Sequence, residues 1–213
     1  MIEDSREKII KAAIAVFAEK GKYGAKMEEI AAKAEINKAM VYYYYSTKEN
    51  LYRETLRSVI FTNLSRIFGM IEQIINTRVD PIETLKKVIA VYFEVFSSEK
   101  TYTKIMLDAI ASEPQEIENI LRSTKLNLKL NIPMKFIDFL EEGMQKHVFR
   151  RVDPKQLLLN MISMTIIYFF GKPVLKVMLD LPIEDEQSFL KERQAAIIDL
   201  LLFGIVADRN RTS

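Results

Sequence analysis

Residues 26–51 have the sequence KMEEIAAKAEINKAMVYYYYSTKENL, and this stretch decides the fold of the N-terminal part of the chain. Its first apolar residues share one face of a helix, which we predict over residues 27–34: Met27, Ile30, Ala31 and Ala34. Three residues, 35–37, then precede a second helical run. Asn37 is a favourable N-cap, because its side chain accepts hydrogen bonds from free backbone N–H groups. Two helices joined by so short a turn are typical of a helix-turn-helix.

A longer amphipathic helix precedes this stretch. Its apolar stripe is Ile10, Ala13, Ile14 and Phe17. Asp4 is placed to cap its start, and Gly21 follows Lys20 as a C-terminal glycine able to adopt a positive φ. We therefore expect the first helix over residues 4–20, so that three helices form the N-terminal part.

The helix after Asn37 has two different faces. Val41 and Tyr45 lie four residues apart and are expected to pack inward with Ile36. The residues left to point outward are Lys38, Ala39, Met40, Tyr42, Tyr43 and Tyr44. In a recognition helix, N-terminal side chains meet base edges while flanking hydroxyls and lysines hold phosphates. The alternative is that the tyrosines pack on the body of the domain or on each other.

The pattern of these residues resembles the N-terminal domain of the TetR family of bacterial transcriptional repressors. The matching positions are Phe17, Gly21, Ile30, Ala31, Ala34, Ile36, Val41, Tyr42, Lys48 and Leu51. The resemblance covers residues 1–52, and the rest of the chain matches in length and helicity only. It implies that three residues at the start of the second helix of the helix-turn-helix face bases: Lys38, Ala39 and Met40. It implies phosphate contacts for Tyr42, Tyr44, Lys48 and Lys26. Tyr43 could contact either a base or a phosphate.

Three positions depart from the family pattern. Glu35 replaces the usual turn glycine, so either the turn is reshaped or Glu35 adopts a left-handed conformation at a cost of roughly 1 to 2 kcal/mol. Asn37 stands for Ser and can perform the same capping. Tyr45 replaces an inward-facing Phe, and its buried hydroxyl must find a hydrogen-bond partner.

Charge by itself does not identify a partner, because the 213-residue chain has a formal net charge of only +2. From Lys20 to Lys48, however, six lysines face three glutamates, which is the local excess expected where lysines replace counterions on phosphate. An ordinary solvated surface is the alternative. With no cysteine and one histidine, the composition argues against metal chemistry, and we expect no cofactor.

The remaining sequence predicts further helices and no strand, so the fold class is all-α. Five of the predicted helices span residues 48–76, 81–96, 103–111, 114–127 and 185–207. Another is begun or interrupted by Pro133 and ends near His147. A further helix begins at Pro154 and is stopped or bent at residues 171–173. We expect a three-helix helix-turn-helix DNA-binding domain over residues 1–47. A helical ligand-binding and dimerisation domain is expected over residues 48–213.

The last two long helices are apolar on more than one face. We expect them to form a homodimer through a four-helix interface with two-fold symmetry. The alternative is that they line the core of a monomer. A two-fold dimer would present two reading heads to successive major grooves, about 34 to 36 Å apart, so we expect a near-palindromic double-stranded DNA operator.

Aromatic and methionine side chains in the helical part are numerous enough to line a cavity for a small apolar effector, although they can equally form solid core. The candidate ligand-binding residues are Phe61, Phe68, Tyr92, Phe96, Tyr102, Met106, Phe136, Met164 and Tyr168. His147, Asn160 and Lys104 are candidates for orienting a ligand. The family resemblance implies a ligand-responsive regulator, usually a repressor that its effector releases from DNA.

The sequence fits two other classes of protein less well. An enzyme would need paired acids such as Glu141 with Glu142, or Glu113 with Glu116, but such acids on helices are usually solvated, and no phosphate loop or Ser-His-Asp set is indicated. A helical ligand-binding dimer that has lost DNA binding is the second alternative.

The N-terminus lacks a secretory pattern and the apolar run 157–170 is shorter than a bilayer span, so we expect a cytoplasmic protein with no membrane partner.

Overall fold

The computed structural model describes residues 4–77, 80–128, 132–181 and 184–205. Regular structure within these ranges is entirely α-helical, which confirms the all-α prediction. The helices are α1 Ser5–Gly24, α2 Met27–Ala34, α3 Lys38–Tyr45, α4 Lys48–Asn76, α5 Pro81–Ser98, α6 Lys100–Ser112, α7 Pro114–Leu128, α8 Ile132–Gln145, α9 Pro154–Met178 and α10 Glu186–Ile205.

The largest differences from the predicted helix ends are those of α1 and α9. Gly21 has φ 68° and ψ 174°, so it breaks α1 as expected, but the helix resumes and ends only at Gly24. The predicted stop or bend at 171–173 does not end α9, which continues through Pro173 to Met178. A proline removes one backbone hydrogen bond but leaves the residues after it able to remain helical. The expected end of α10 at residue 207 lies outside the described residues.

The helices group into two compact units. The first comprises the described residues of 1–65 and 99–129. In it α1 packs on α2 and α6, α2 packs on α3, and α6 packs on α7. Its core joins side chains from all of these helices and from the start of α4: Ile9, Ala13, Phe17, Ile30, Val41, Leu51, Leu56, Ile105, Ala109 and Ile120. Burial of this core fixes the orientation of the short helices α2 and α3, which are too short to be stable alone.

The second unit comprises the described residues of 66–98 and 130–213. In it α9 packs on α5, α8 and α10, and α10 also packs on α5. Its core is rich in aromatic residues, including Tyr92, Phe93, Phe96, Phe136 and Phe149. The helix α4 therefore contributes to the first unit as far as Ser65 and to the second from Arg66. The domain boundary at residue 47 stays a prediction from sequence.

Helices α9 and α10 expose large apolar side chains. The exposed residues are Leu159, Ile167, Val174, Val177, Met178, Leu200 and Phe203. By length and composition alone α9 could cross a membrane, with a mean hydropathy of 1.5 over an 18-residue window that is 22% buried. A single helix of this kind is weak support for a membrane span, because core and interface helices pass the same test.

Candidate nucleic-acid interface

The turn between α2 and α3 is tight and carries a left-handed residue. Glu35 has φ 56° and ψ 38°, and its N–H donates to the Ala32 carbonyl at 3.1 Å. The Ile36 N–H donates to the Ala31 carbonyl at 3.0 Å, so the carbonyls at the end of α2 are satisfied. Of the two possibilities for Glu35, the structure therefore adopts the left-handed one. Asn37 caps α3 as predicted, its Oδ1 accepting from the Ala39 N–H at 2.9 Å.

The inward face of α3 anchors the helix to the first unit. Val41 is fully buried, Tyr45 is 9% exposed, and Ile36 packs partly buried against the same core. The Tyr45 hydroxyl donates to the Arg6 carbonyl at a long 3.4 Å. Burial raises the pKa of Tyr45. The extra oxygen of this Tyr, where the family has Phe, has thus found a partner.

The outward face of α3 is open to solvent. Lys38 and Ala39 are exposed, and the exposed fractions of Met40, Tyr42 and Tyr43 are 39%, 40% and 78%. Apolar and aromatic side chains so exposed on a short helix are suited to a partner surface. The outward orientation inferred from sequence agrees with these positions.

Tyr44 is placed differently from its neighbours. It is half-buried and packs against the core of the first unit. Its ring makes an edge contact with Tyr43, with centroids 5.4 Å apart, and the Arg6 guanidinium lies 5.2 Å from its centroid. The alternative that the tyrosines pack on the domain and on each other therefore describes Tyr44, and its phosphate contact stays a prediction.

The three candidate lysines have different surroundings. Lys26 is exposed where α2 begins. The Lys38 ammonium lies 2.5 Å from a Glu28 carboxylate oxygen and 5.6 Å from the Tyr42 ring centroid. The hydrogen bond between them lowers the pKa of Glu28 and raises that of Lys38. Lys48 donates to the backbone carbonyls of Tyr23 and Ala25 at 3.3 and 3.2 Å.

The connection from α3 to α4 is also strained and short. Ser46 has φ 58° and ψ −50°, and the Thr47 N–H donates to the Tyr45 carbonyl at 2.6 Å, which closes a γ-turn of a rare kind. Thr47 then caps α4, with its Oγ1 accepting from the Asn50 N–H at 3.1 Å. Two residues thus separate the outward face of α3 from the long helix.

The predicted ligand-binding residues are divided between the two units. Phe61, Tyr102 and Met106 lie in the first unit, where Phe61 is 43% exposed. The other six lie in the second unit: Phe68, Tyr92, Phe96, Phe136, Met164 and Tyr168. All of these except Tyr168 belong to, or pack against, its main core. Burial raises the pKa of Tyr92 to about 12. The nine residues therefore do not share one core.

The described residues of the second unit line clefts of different size and polarity. One, of about 340 Å³, is lined by the predicted residue Met164 and also by Asn160. A larger one, of about 920 Å³, lies between the start of α5 and α8 and contains none of the nine, its polar lining including Asp80, Lys135 and Asp138. His147 and Lys104, the other candidates for orienting a ligand, are exposed.

Three of the four acids considered for catalysis serve as ion-pair partners. Glu113 pairs with Lys22, and Glu116 pairs with Arg53 at 3.0 Å. Glu142 pairs with Lys146, the first residue after α8. Among the residues that the structure describes, no group of three or more His, Asp or Glu is arranged to hold a metal ion.

Sequence reasoning missed two residues that contact the candidate DNA-binding lysines. Glu28, an acidic residue in the first turn of α2, pairs with Lys38. Tyr23 was given no role, yet it is 78% exposed and its carbonyl accepts from Lys48. No periodic signal marks either contact, because each joins residues that only the tertiary fold brings together.

Comparison with known proteins supports this geometry. Residues 9–55 match the family model described as "Bacterial regulatory proteins, tetR family", and residues 81–201 match the model of a tetracyclin repressor-like C-terminal domain. The HTH-type regulator YerO of Bacillus subtilis is 26% identical over 148 residues, 69% of this chain but only 50% of that protein. The IcaR negative regulator of the biofilm operon in Staphylococcus aureus is 25% identical over 139 residues, 65% of this chain and 70% of that protein.

Solved structures share the fold at low identity. The regulator FadR from Bacillus subtilis, solved with stearoyl-CoA, is 20% identical with a TM-score of 0.66, covering 93% of this chain and 98% of that one. The ketosteroid regulator KstR2 of Mycobacterium tuberculosis is also 20% identical, with a TM-score of 0.64 and 98% of each chain covered. Members of this family are regulators and not enzymes, which confirms the rejection of an enzyme. The second family model alone matches more than half of the chain, and the chain belongs to the TetR family of bacterial transcriptional regulators.

Proposed function

We propose that the chain is a transcriptional regulator that binds double-stranded DNA through the outward face of α3 and represses until a small apolar effector releases it. One observation carries the proposal. An eight-residue helix, anchored by buried Val41 and Tyr45, presents Lys38, Met40, Tyr42 and Tyr43 to solvent directly after a tight turn. A helix presented in this way fits a major groove.

The roles proposed for the individual side chains follow their positions. Lys38, Ala39 and Met40 occupy the N-terminal turn of α3 and face bases, while Tyr42 and Tyr43 offer hydroxyls to phosphates. Lys26 and Lys48 add positive charge at the starts of α2 and α4, and Tyr44 adds its hydroxyl at the edge of the surface.

We propose that the DNA-binding form is a homodimer. Among the α10 side chains that the structure describes, only Ile197 and Leu201 are buried, while Leu200 and Phe203 are 62% and 84% exposed. A second copy pairing with both α9 and α10 would cover this surface and produce a two-fold assembly. The operator is then a near-palindrome whose half-sites lie about 34 to 36 Å apart.

The effector proposal is supported by the aromatic core of the second unit and by the 340 Å³ cleft at Met164. FadR of Bacillus subtilis, which shares the fold, holds stearoyl-CoA in its structure, and a small molecule with an apolar chain is the class of effector that we propose here. Because Ser46 and Thr47 alone separate α3 from α4, a shift of α4 on effector binding would move the outward face of α3. For this to occur, the effector must bind the conformation released from DNA more tightly than the DNA-binding conformation.

The DNA proposal is tested by selecting bound duplexes from fragments of the source genome and measuring their affinities at several salt concentrations. We expect a selected near-palindrome to bind at least about 1,000-fold more tightly than random duplex. Met40→Ala should change the selected bases, and Tyr42→Phe should weaken all duplexes alike. Leu121→Ala, at a 40% exposed apolar residue on α7, is the matched control and should do neither. A wild-type protein that binds no duplex at low salt would leave the alternative, a ligand-binding helical dimer.

A further inference from the structure

Glu28 is the carboxylate that reaches the outward face of α3. It belongs to the first turn of α2, and its Oε1 lies 2.5 Å from the Lys38 ammonium at the start of the next helix. The same ammonium lies 5.6 Å from the Tyr42 ring centroid. The carboxylate and the ring together hold the one cationic side chain of α3 in a defined position, although both ends of the ion pair are about half-exposed.

We propose that Glu28 is a specificity-determining residue, which restrains Lys38 so that this ammonium reads a base at the operator and adds little to binding elsewhere. The inference rests on the proposed DNA-binding function. It assigns to Glu28 an effect on the discrimination between sequences and not on folding.

On random duplex the restraint weakens binding. A lysine that neutralises a phosphate releases a counterion, which is the source of sequence-independent affinity. Lys38 already has an anionic partner. If its ammonium leaves Glu28 for a phosphate, one ion pair replaces another, so the affinity for DNA increases little. Glu28 therefore lowers the affinity for sequences that offer Lys38 only phosphates.

At the operator the restraint acts in the opposite direction. An ammonium group has three N–H donors and needs only one for Glu28. The remaining donors can bond to the O6 and N7 acceptors of a guanine in the major groove without breaking the ion pair. Because Glu28 and the Tyr42 ring fix the position of the ammonium, fewer side-chain conformations are lost on binding that base.

The chain offers a matched control at the next residue. Glu29 has the same charge and lies in the same turn, but its carboxylate pairs with Lys20 of α1 at 2.7 Å and accepts from the Lys26 N–H. Glu29→Gln and Glu28→Gln both remove one negative charge from α2. Only Glu28→Gln frees Lys38.

The experiment measures the affinity of the full chain, as wild type, Glu28→Gln and Glu29→Gln, for a random-sequence duplex and for the selected operator between 50 and 200 mM salt. For Glu28→Gln we expect tighter binding to the random duplex and a salt slope steeper by about 0.9, so that its affinity falls about threefold more over this range than that of wild type. We expect its ratio of operator to random affinity to fall about fivefold or more, with relaxed preference at one base pair. Glu29→Gln should change the salt slope and the ratio of operator to random affinity far less.

A Lys38→Gln background isolates the ion pair. There, Glu28→Gln should change binding no more than Glu29→Gln does. Equal effects of the two glutamine variants in the wild-type background, or an effect of Glu28→Gln that persists without Lys38, would overturn the proposal while leaving DNA binding intact. If the wild type binds no duplex, the proposed function fails and this inference fails with it. Matching melting curves for the three proteins exclude misfolding as the cause.

Discussion

The Lys48 ammonium donates a hydrogen bond to the Ala25 carbonyl at 3.2 Å, linking the first residue of α4 to the turn between α1 and α2. A second bond reaches the Tyr23 carbonyl at 3.3 Å. Both carbonyls lie beyond the break at Gly21, where the backbone turns towards α2. A side chain proposed to contact phosphate therefore also fastens the loop that positions the helix-turn-helix.

Lys48→Met is expected to reduce both stability and DNA affinity. Two carbonyls lose a charged donor, which we expect to cost about 1 kcal/mol of unfolding free energy since the site is partly open to water. Loss of a phosphate contact should weaken binding to all duplexes and reduce the magnitude of the salt slope by about 0.9. Urea unfolding and a salt titration of random-duplex affinity measure the two effects separately.

The conservative change Lys48→Arg serves as the control, because it keeps the charge. Its salt slope should equal that of the wild type. An unchanged slope in Lys48→Met, together with the loss of stability, would restrict Lys48 to its role in the loop.

Glu35→Gly is expected to stabilise the protein. Glu35 holds the left-handed conformation that ends α2, with φ 56°, and a side chain with a Cβ makes this conformation unfavourable by about 1 kcal/mol. Glycine removes that cost while keeping both backbone hydrogen bonds of the turn. The expected gain of about 1 kcal/mol is measurable by urea unfolding, with Glu35→Ala as the comparison that keeps the strain. A destabilised glycine variant would mean that the Glu35 side chain makes a compensating interaction.

Helix boundaries could be predicted from sequence because local chemistry determines them. Asp153 accepts from the N–H groups of Lys155 and Gln156 at 2.8 and 3.1 Å, and Thr47 and Asn37 cap their helices in the same way. The partner of each cap lies within three residues, so the signal is present in a short window of sequence. The faces of α3 were predictable except at Tyr44, because the spacing of inward residues is read within one short helix.

The partners of long side chains could not be predicted, because contacts between distant parts of the chain decide them. Lys38 meets Glu28 ten residues away, and Lys48 meets Tyr23 and Ala25 across a loop. Aromatic composition likewise did not reveal which unit a residue would join. Tyr92 and Tyr102 lie ten residues apart in sequence but belong to different units.

Gly143→Ala is expected to destabilise the second unit. A Cβ at Gly143 on α8 would overlap the ring of Phe149, which is 1% exposed and has no room to move in the core. The Phe149 N–H also donates to the Gly143 carbonyl at 3.1 Å, so the ring and the helix cannot easily separate. We expect a loss of about 2 kcal/mol or more.

Gly69→Ala is the matched control for this change. Gly69 lies within α4, and a Cβ added there meets no atom within 4 Å. Alanine should stabilise that helix by about 0.5 to 1 kcal/mol, since it reduces the backbone freedom of the unfolded chain. Thermal melts of the two variants should therefore shift in opposite directions. Two shifts of the same sign would contradict the assigned packing of α8.

Phe203→Asp is expected to convert a dimer into a monomer. Phe203 is 84% exposed on α10, and in the proposed assembly its ring is buried against the second copy, where a carboxylate would lose its hydration without a partner. Light scattering at micromolar concentration should report a dimer for the wild type and a monomer for the variant. A dimer binds both half-sites of an operator with two copies of α3, whereas a monomer binds only one. Operator affinity should therefore fall about 100-fold or more, while binding to a single half-site changes little. Ile110→Asp, at an apolar residue of α6 that is 46% exposed, is the control and should stay dimeric. A monomeric wild type that still prefers a palindrome would separate sequence recognition from dimerisation and refute this assembly.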